Sequence, residues 1–189
     1  MRQITTRHRD GRWREPACLP RGEIPSDIAC WLLDRGSLTR RLQLSCDGRF
    51  SVEVLAQSWQ RPLLEEARLL GLRPEQWVLV REVRLLCDGT PWVYARTVMP
   101  RLTLTGRHRT LARLGTRPLG AVLFADPTMR RGPMQVSRLL PGQRLYAKVE
   151  RAGNCQGREV WGRRSVFHLA DKPLLVYEMF LPQIGPCRG

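Results

Sequence analysis

One arginine interrupts a row of apolar residues in a segment that alternates like a β-strand. The row that shares a face with Arg81 reads Leu79, Val83, Leu85 and Cys87. If this row faces the core, the guanidinium is buried, and a buried charge without a partner costs several kcal/mol. A carboxylate of the protein or of a ligand must therefore meet Arg81. The planar fork of arginine suits bidentate binding of a ligand carboxylate.

A glutamate near the end of the chain also interrupts an apolar row, so its negative charge is expected to be buried. Glu178 lies in a row with Leu174, Val176 and Phe180, and the opposite row of the same segment is equally apolar. Such a segment is typical of a central strand that is covered on both faces. Two interpretations stay open. Either Arg81 and Glu178 form a structural salt bridge, or they line a dry pocket that orients a small anionic ligand.

Three further arginines are candidates for anion binding. Arg96 lies in a row with Trp92, Tyr94 and Val98, which faces either the pocket or solvent. The pair Arg163-Arg164 is either surface charge or a second anion clamp.

The overall charge restricts the possible partners. The 189 residues carry a net charge of +15, and 42% of them are hydrophobic, so a folded core is expected rather than a disordered chain. Almost all of the positive charge is arginine, spread along the chain, with lysine only at Lys148 and Lys172. Nucleic-acid surfaces normally use both residue types, so we expect no specific nucleic-acid partner.

No apolar stretch approaches the roughly 20 residues that span a bilayer, and residues 1–16 lack an apolar signal region. We expect a cytoplasmic protein without stable membrane insertion.

The six cysteines do not predict a metal site. None of them forms a Cys-x-x-Cys pair, and the three histidines are not spaced with them as ligands. Without a secretory signal, we expect reduced thiols that mostly act as small buried hydrophobic residues.

Hydrophobic periodicity predicts an α+β domain, in which an antiparallel β-sheet carries helices on one face. Two hairpins are predicted, over residues 42–54 with an Asp47-Gly48 turn and over residues 77–99 with an Asp88-Gly89 turn. The other predicted elements are helices at 26–35, 105–114 and 118–124, a helix or loop at 62–72, a long loop around a weak strand within 126–157, and strands at 159–169 and 173–181. The domain organisation is expected to be a poorly ordered basic leader (1–22), one catalytic domain (23–183) and a short tail (184–189).

Seven short motifs together resemble the bacterial chorismate pyruvate-lyases. They read SLTRR at 37–41, REV at 81–83, DGTPW at 88–92, RTVMP at 96–100, LGTRPLG at 114–120, WGRRS at 161–165 and KPLLVYEMFLP at 172–182. Each motif alone is a weak signal, but together they keep the order of the family and span roughly residues 25–182.

The resemblance implies an enzyme that converts chorismate to 4-hydroxybenzoate and pyruvate, the first step of ubiquinone ring synthesis. It implies an antiparallel sheet with flanking helical flaps that enclose an internal pocket, and no metal or organic cofactor. We expect a monomer. Because a dry pocket shaped for an aromatic ring should bind 4-hydroxybenzoate tightly, we also expect inhibition by the product. By motif position, the arginine that binds the ring carboxylate is Arg81 and the carboxylate that binds the ring hydroxyl is Glu178. Two further ligand contacts fall on Leu38 and Leu119. We assign the second carboxylate of the substrate to Arg96.

Three alternatives belong to other classes or other products. The same fold, by resemblance, forms the effector domains of some bacterial transcription regulators, so a non-catalytic domain that senses small aromatic acids is one of them. However, residues 1–24 are too short and irregular for a helix-turn-helix. A lyase that yields another hydroxybenzoate isomer is the second, and a basic nucleic-acid-binding protein is the third.

Overall fold

A computed structural model describes residues 11–188 of the chain. Seven antiparallel strands form one sheet in the order β1-β2-β3-β7-β6-β4, and β5 also pairs with β6. The strands are β1 (Phe50–Gln60), β2 (Val78–Cys87), β3 (Thr90–Pro100), β4 (Arg130–Arg131), β5 (Gln135–Leu139), β6 (Val160–Leu169) and β7 (Lys172–Phe180). The α+β class and the antiparallel sheet are therefore confirmed.

Five α-helices accompany the sheet within the described residues. They are α1 (Ser26–Leu33), α2 (Leu38–Ser45), α3 (Leu64–Leu69), α4 (Leu119–Ala125) and α5 (Arg144–Gly153), and short 3-10 helices lie at Pro16–Cys18 and Gly106–Arg113. Helices α1 and α4 match the prediction. The helix predicted for 105–114 is a 3-10 helix, and the ambiguous segment 62–72 contains α3.

The hairpin predicted for residues 77–99 is confirmed, and a bulge within it determines which side chains share a face. Near the turn, Leu86 lies opposite Pro91, but the next pair joins Leu85 to Val93, so Trp92 is an extra residue on β3. Proline cannot donate to the strand ladder and is found at such bulges. As a result, Arg81 lies opposite Thr97 instead of Arg96.

Two other segment predictions are wrong. Residues 42–54 do not form a hairpin, because residues 38–45 form α2, which begins after the cap residue Ser37. The buried Leu38 and Leu42 fit helical spacing, whereas Leu44 is exposed. Residues 126–157 are not a long loop around a strand, because they contain β4, β5 and α5. The buried side chains of α5 recur at helical spacing, at Leu145, Tyr146, Val149 and Ala152.

The sheet buries both faces against different cores. One face packs on α5 through side chains such as Val80, Tyr94 and Tyr177. The other face, which carries Arg81 and Val83, packs beneath α1, α2 and α4. This second face contains the candidate site.

The cysteines differ from the prediction of reduced thiols. Cys30 is bonded to Cys187, and Cys46 to Cys87, while Cys18 and Cys155 are free. The paired cysteines are 157 and 41 residues apart, and folding brings each pair together in a way that sequence spacing cannot reveal. Outside the expected catalytic domain, Arg14 pairs with Val136 of β5, and the tail contributes Cys187. No helix within residues 11–188 is both long and apolar enough to cross a membrane.

Candidate active site

A cavity lies between the sheet and the helices α2 and α4. Its floor is formed by residues of β1, β2, β3, β6 and β7, with Arg131 of β4 at one side, and its roof by residues of the two helices, including the first residue of each. Most of the lining is apolar, and its charged side chains are Arg81, Arg131, Arg163 and Glu178. An apolar pocket with a few polar groups that converge on it is the usual form of a small-molecule site.

Arg81 extends from the middle of β2 into this cavity and is only 2% exposed. Its Nη2 donates to the carbonyl oxygens of Gly115 at 2.8 Å and Arg117 at 3.2 Å, while its Nε has no hydrogen-bond partner. Burial lowers the pKa of the guanidinium. Among residues 11–188, no carboxylate forms an ion pair with Arg81, so the buried cation lacks a counter-charge.

Glu178 lies on the same face of the sheet, two strands away on β7, and pairs with Arg163 of β6. The two residues are directly opposite in the ladder, and the Nε of Arg163 donates to Oε2 of Glu178 at 2.6 Å. Arg163 also donates to the carbonyl oxygens of Trp31 and Asp34 on the α1 side. The interpretation of Arg81 and Glu178 as a mutual salt bridge is therefore wrong, because Arg163 is the partner of Glu178.

The two leucines assigned by resemblance are the first residues of the roof helices. Leu38 begins α2, Leu119 begins α4, and both line the cavity. The first backbone N–H groups of a helix have no partner within the helix, and in α2 the one of Arg40 donates to Oγ of Ser37. The roof is tight, because a Cβ on Gly120 would lie 2.7 Å from Oγ1 of Thr39.

Arg96 does not reach the cavity, so its assignment to the second substrate carboxylate is corrected. The bulge at Trp92 turns Arg96 to the opposite face of the sheet, where its Nε donates to Glu66 and its Nη1 to Glu82. Lys148 of α5 also pairs with Glu82. Arg96 therefore belongs to a buried ion-pair cluster that joins α3, β2, β3 and α5.

Arg131 also lines the cavity, although its sequence context does not mark it as a site residue. It lies on β4 within the segment interpreted as a loop, and no alternating pattern there marks its orientation. Arg163 was noticed only as one half of an arginine pair with two possible roles. The register of β6 resolves that pair, because Arg163 faces the cavity while Arg164 faces the other core and stacks on Trp13.

Solved structures with a similar fold belong to bacterial transcription regulators. One is the C-terminal domain of the histidine utilization repressor from Pseudomonas syringae pv. tomato, with a TM-score of 0.57 and 12% identity over 75% of this chain and 97% of that chain. Another is the ligand-binding domain of a putative GntR-family regulator from Bordetella bronchiseptica, with a TM-score of 0.55 and 17% identity over 76% of this chain and 91% of that chain. At these identities the likeness establishes the fold alone. The fold and the charged internal cavity together define the class, a small α+β domain built around a pocket for a small molecule.

Sequence comparison identifies the family. Residues 11–185 match the family model described as "Chorismate lyase". A protein from Methylococcus capsulatus named "Probable chorismate pyruvate-lyase" is 45% identical over 154 residues, which cover 82% of this chain and 94% of that protein. One of the same name from Marinobacter nauticus is 41% identical over 169 residues, covering 88% of this chain and 84% of that protein. The chain belongs to the chorismate lyase family.

Proposed function

We propose that this protein is a chorismate pyruvate-lyase, which converts chorismate to 4-hydroxybenzoate and pyruvate and so supplies the ring of ubiquinone. The observation that carries the proposal is Arg81, a buried cation that faces an apolar cavity without a counter-charge. A carboxylate on the six-membered ring of a small ligand would neutralise it. Family membership names the substrate that carries such a carboxylate.

The reaction needs little chemical machinery, because aromatisation of the ring drives it. The bond between the ring and the ether oxygen breaks, a hydrogen leaves the ring carbon that bears the hydroxyl, and the enolpyruvyl methylene gains a hydrogen to become the methyl group of pyruvate. The enzyme must hold the dianion in a reactive pose and stabilise the charge that develops as the bond breaks.

Each cavity residue has a role in this proposal. Arg81 binds the ring carboxylate, and at an effective dielectric of about 20 one charge pair at 4 Å contributes roughly 4 kcal/mol before desolvation. Glu178 accepts a hydrogen bond from the ring hydroxyl through Oε1, since Arg163 occupies Oε2. Leu38 and Leu119 shape the pocket and offer backbone N–H groups at the starts of α2 and α4.

Two routes are open for the ring hydrogen. Glu178 can remove it as a general base, or it can pass within the substrate to the enolpyruvyl methylene. Chorismate with deuterium on the carbon that bears the hydroxyl separates these routes, because only the internal transfer delivers the label to the methyl group of pyruvate.

The decisive experiment is a direct assay on the purified chain, produced in a host that lacks its own lyase. The protein is incubated with chorismate, without added metal or cofactor, and 4-hydroxybenzoate and pyruvate are measured by chromatography. We expect equal amounts of both products. The Arg81→Ala protein, purified in the same way, controls for contaminating activity. Absence of both products from the folded wild-type chain would refute the proposal. Formation of another hydroxybenzoate isomer would show a lyase with a different product from the one proposed.

We also propose that the enzyme is a cytoplasmic monomer that binds its product tightly. The resemblance to the family implies the cytoplasmic location, and the apolar cavity supports tight binding of the product. Sedimentation of the purified protein tests the monomer, and calorimetry with 4-hydroxybenzoate tests the enclosed pocket. No binding at millimolar product would count against a pocket shaped for this ring.

A further inference from the structure

The charges in the cavity do not balance. Three arginines, Arg81, Arg131 and Arg163, line it together with one carboxylate, Glu178. The ion pair between Arg163 and Glu178 neutralises one positive charge. Two guanidinium groups remain, and the substrate of the proposed function carries two carboxylates.

Arg131 holds the second unneutralised charge at the β4 side of the cavity. Its Nε donates to Oγ of Ser165 at 3.0 Å, and its Nη1 donates to the carbonyl oxygen of Arg35 at 3.1 Å. Its guanidinium lies 5.2 Å above the centre of the Phe167 ring. These neutral contacts fix the orientation of the group, and within residues 11–188 none of them supplies a negative charge.

The surroundings of Arg131 support a role with an anion. The pKa of Arg131 is lowered, because burial and the positive charges of Arg163 and Arg35 outweigh the opposing effect of Glu178 and Asp34. Arg131, Arg163 and Glu178 line the same cavity. Strand β4, which carries Arg131, pairs with β6, the strand of Arg163, so Arg131 lies on the Glu178 side of the cavity and away from Arg81.

The other arginines near the cavity already have partners or an assigned ligand group. Arg163 is occupied by Glu178 and two backbone carbonyls. Arg81 emerges from β2, on the other side of β3 and β7 from Arg163, and is assigned to the ring carboxylate. Arg96 lies behind the sheet in its own ion-pair cluster.

We propose that Arg131 binds the enolpyruvyl carboxylate of the substrate and thereby distinguishes the dianionic substrate from the monoanionic product. The proposal rests on the proposed function. It assigns to Arg131 the contact that sequence analysis gave to Arg96. It also gives a route for release, because loss of pyruvate removes the group that Arg131 holds and leaves only the ring contacts.

The test compares two stable ligands that differ in one group. One is 4-hydroxybenzoate, and the other is 4-hydroxybenzoate carrying a 1-carboxyvinyloxy group on the carbon next to the hydroxyl. The second ligand keeps both carboxylates but is already aromatic, so it cannot react. Calorimetry measures the Kd of each for the wild type and for Arg131→Gln. We expect the diacid to bind at least about 10-fold more weakly to the variant, and 4-hydroxybenzoate to change by less than about 3-fold.

Matched variants exclude less specific explanations. Arg130→Gln removes the same charge from the adjacent residue, which is exposed and paired with Asp171 outside the cavity, and should change neither Kd. Arg131→Lys should recover part of the diacid affinity. Arg81→Gln should weaken both ligands, because both carry the ring carboxylate.

Turnover separates failure of this inference from failure of the proposed function. With an active wild type, the KM of Arg131→Gln for chorismate should rise at least about 10-fold. An equal effect on both ligands, or none on either, overturns the role of Arg131 even if the wild type turns chorismate over. A selective loss of the diacid supports that role even if the wild type forms no product.

Discussion

At the scale of single residues, the cavity depends on a buried guanidinium that its own fold does not neutralise. The carbonyl oxygens of Gly115 and Arg117 orient Arg81, but they carry only partial charge. Such a group weakens the empty protein, because desolvation is not compensated by a full counter-charge. The same group strengthens ligand binding, since the incoming carboxylate completes the pair.

Arg81→Ala is therefore expected to separate activity from stability. We expect kcat/KM for chorismate to fall by at least about 100-fold, which corresponds to a lost contact of roughly 3 kcal/mol. The thermal midpoint of the ligand-free variant should match or exceed that of the wild type, because an unneutralised buried charge is removed. The stabilisation that 4-hydroxybenzoate gives to the wild type should disappear, as measured by calorimetric melting.

Arg84→Ala is the matched control for this prediction. Arg84 lies on the same strand but pairs with Glu53 and does not line the cavity. It should lose little activity. Near-normal turnover by Arg81→Ala would remove Arg81 from the proposed site.

The face of the sheet on which a side chain lies can be predicted from sequence where strand alternation is uninterrupted, but not where a bulge or a very short strand interrupts it. Arg81 and Glu178 each interrupt an apolar row, and the structure places both on the cavity face. Arg96 was misassigned because one bulge residue, Trp92, reverses the parity of the rest of β3. Arg131 had no usable signal, because a two-residue strand has no periodicity.

At the scale of elements, the roof of the cavity is a contact between two helix starts. Gly120 in α4 lies against Thr39 in α2, and a Cβ at position 120 would meet Oγ1 of Thr39 at 2.7 Å. The two helices must then separate, or the threonine must move. Because Leu38 and Leu119 are adjacent to this contact, the separation reaches the pocket directly.

We expect Gly120→Ala to weaken binding of 4-hydroxybenzoate by at least about 3-fold, which is part of the roughly 1–3 kcal/mol that overpacking typically costs. Calorimetry measures the Kd. Adding Thr39→Ala removes Oγ1 and should restore most of the affinity, while Thr39→Ala alone is the control. If the double variant binds 4-hydroxybenzoate no better than Gly120→Ala, the contact with Thr39 does not determine the shape of the pocket.

The opposite face of the sheet is joined to α3 and α5 by charges. Arg96 and Glu66 are 3% and 1% exposed in their side chains, and Glu82 links Arg96 to Lys148. Burial raises the pKa of Glu82, but Lys148 and Arg96 lower it more, so its pKa lies below the usual value. A carboxyl group with a lowered pKa in the folded state stabilises the fold above its unfolded pKa, and this contribution is lost as the pH falls through the folded value.

The free energy of unfolding should therefore decrease as the pH falls below about 4.5, the ordinary value for glutamate. Glu82→Gln should reduce the acid-side slope by up to about 1.4 kcal/mol per pH unit, the effect of one proton. Urea unfolding at several pH values measures the slope. Glu159→Gln, from a pair with Arg138 that is exposed on both sides, is the control. An unchanged slope in Glu82→Gln would contradict the lowered pKa.

Helices and strands could be predicted from sequence where the signal is local, but not where it depends on packing. The 77–99 hairpin has a clear Asp-Gly turn between two long alternating runs, which is a local signal. In contrast, Leu42 and Cys46 fit both a strand and a helix, and the choice depends on the Ser37 cap and on packing over the cavity. Helix α5 was missed because its apolar stripe is short and flanked by arginine and glycine.

At the scale of the whole molecule, two disulfides connect parts of the chain that are far apart in sequence. Cys30 of α1 is joined to Cys187 in the tail, and Cys46 at the end of α2 to Cys87 at the end of β2. The second bond attaches a roof helix to the strand that carries Arg81. Oxidation therefore fixes the roof of the cavity relative to its floor.

Oxidised protein should expose two thiols in denaturant without reductant and six after reduction, from the six cysteines of the chain. Chain-entropy arguments give about 5 kcal/mol of stabilisation for the 157-residue separation and about 4 kcal/mol for the 41-residue one. Cys30→Ser and Cys46→Ser should each lower the melting temperature of the oxidised protein, whereas Cys18→Ser, at an exposed free thiol, should not. Only Cys46→Ser should also weaken 4-hydroxybenzoate binding, because only that bond attaches α2 to β2. Six thiols in the unreduced chain after purification in air would contradict both bonds and return the cysteines to the reduced state expected from sequence.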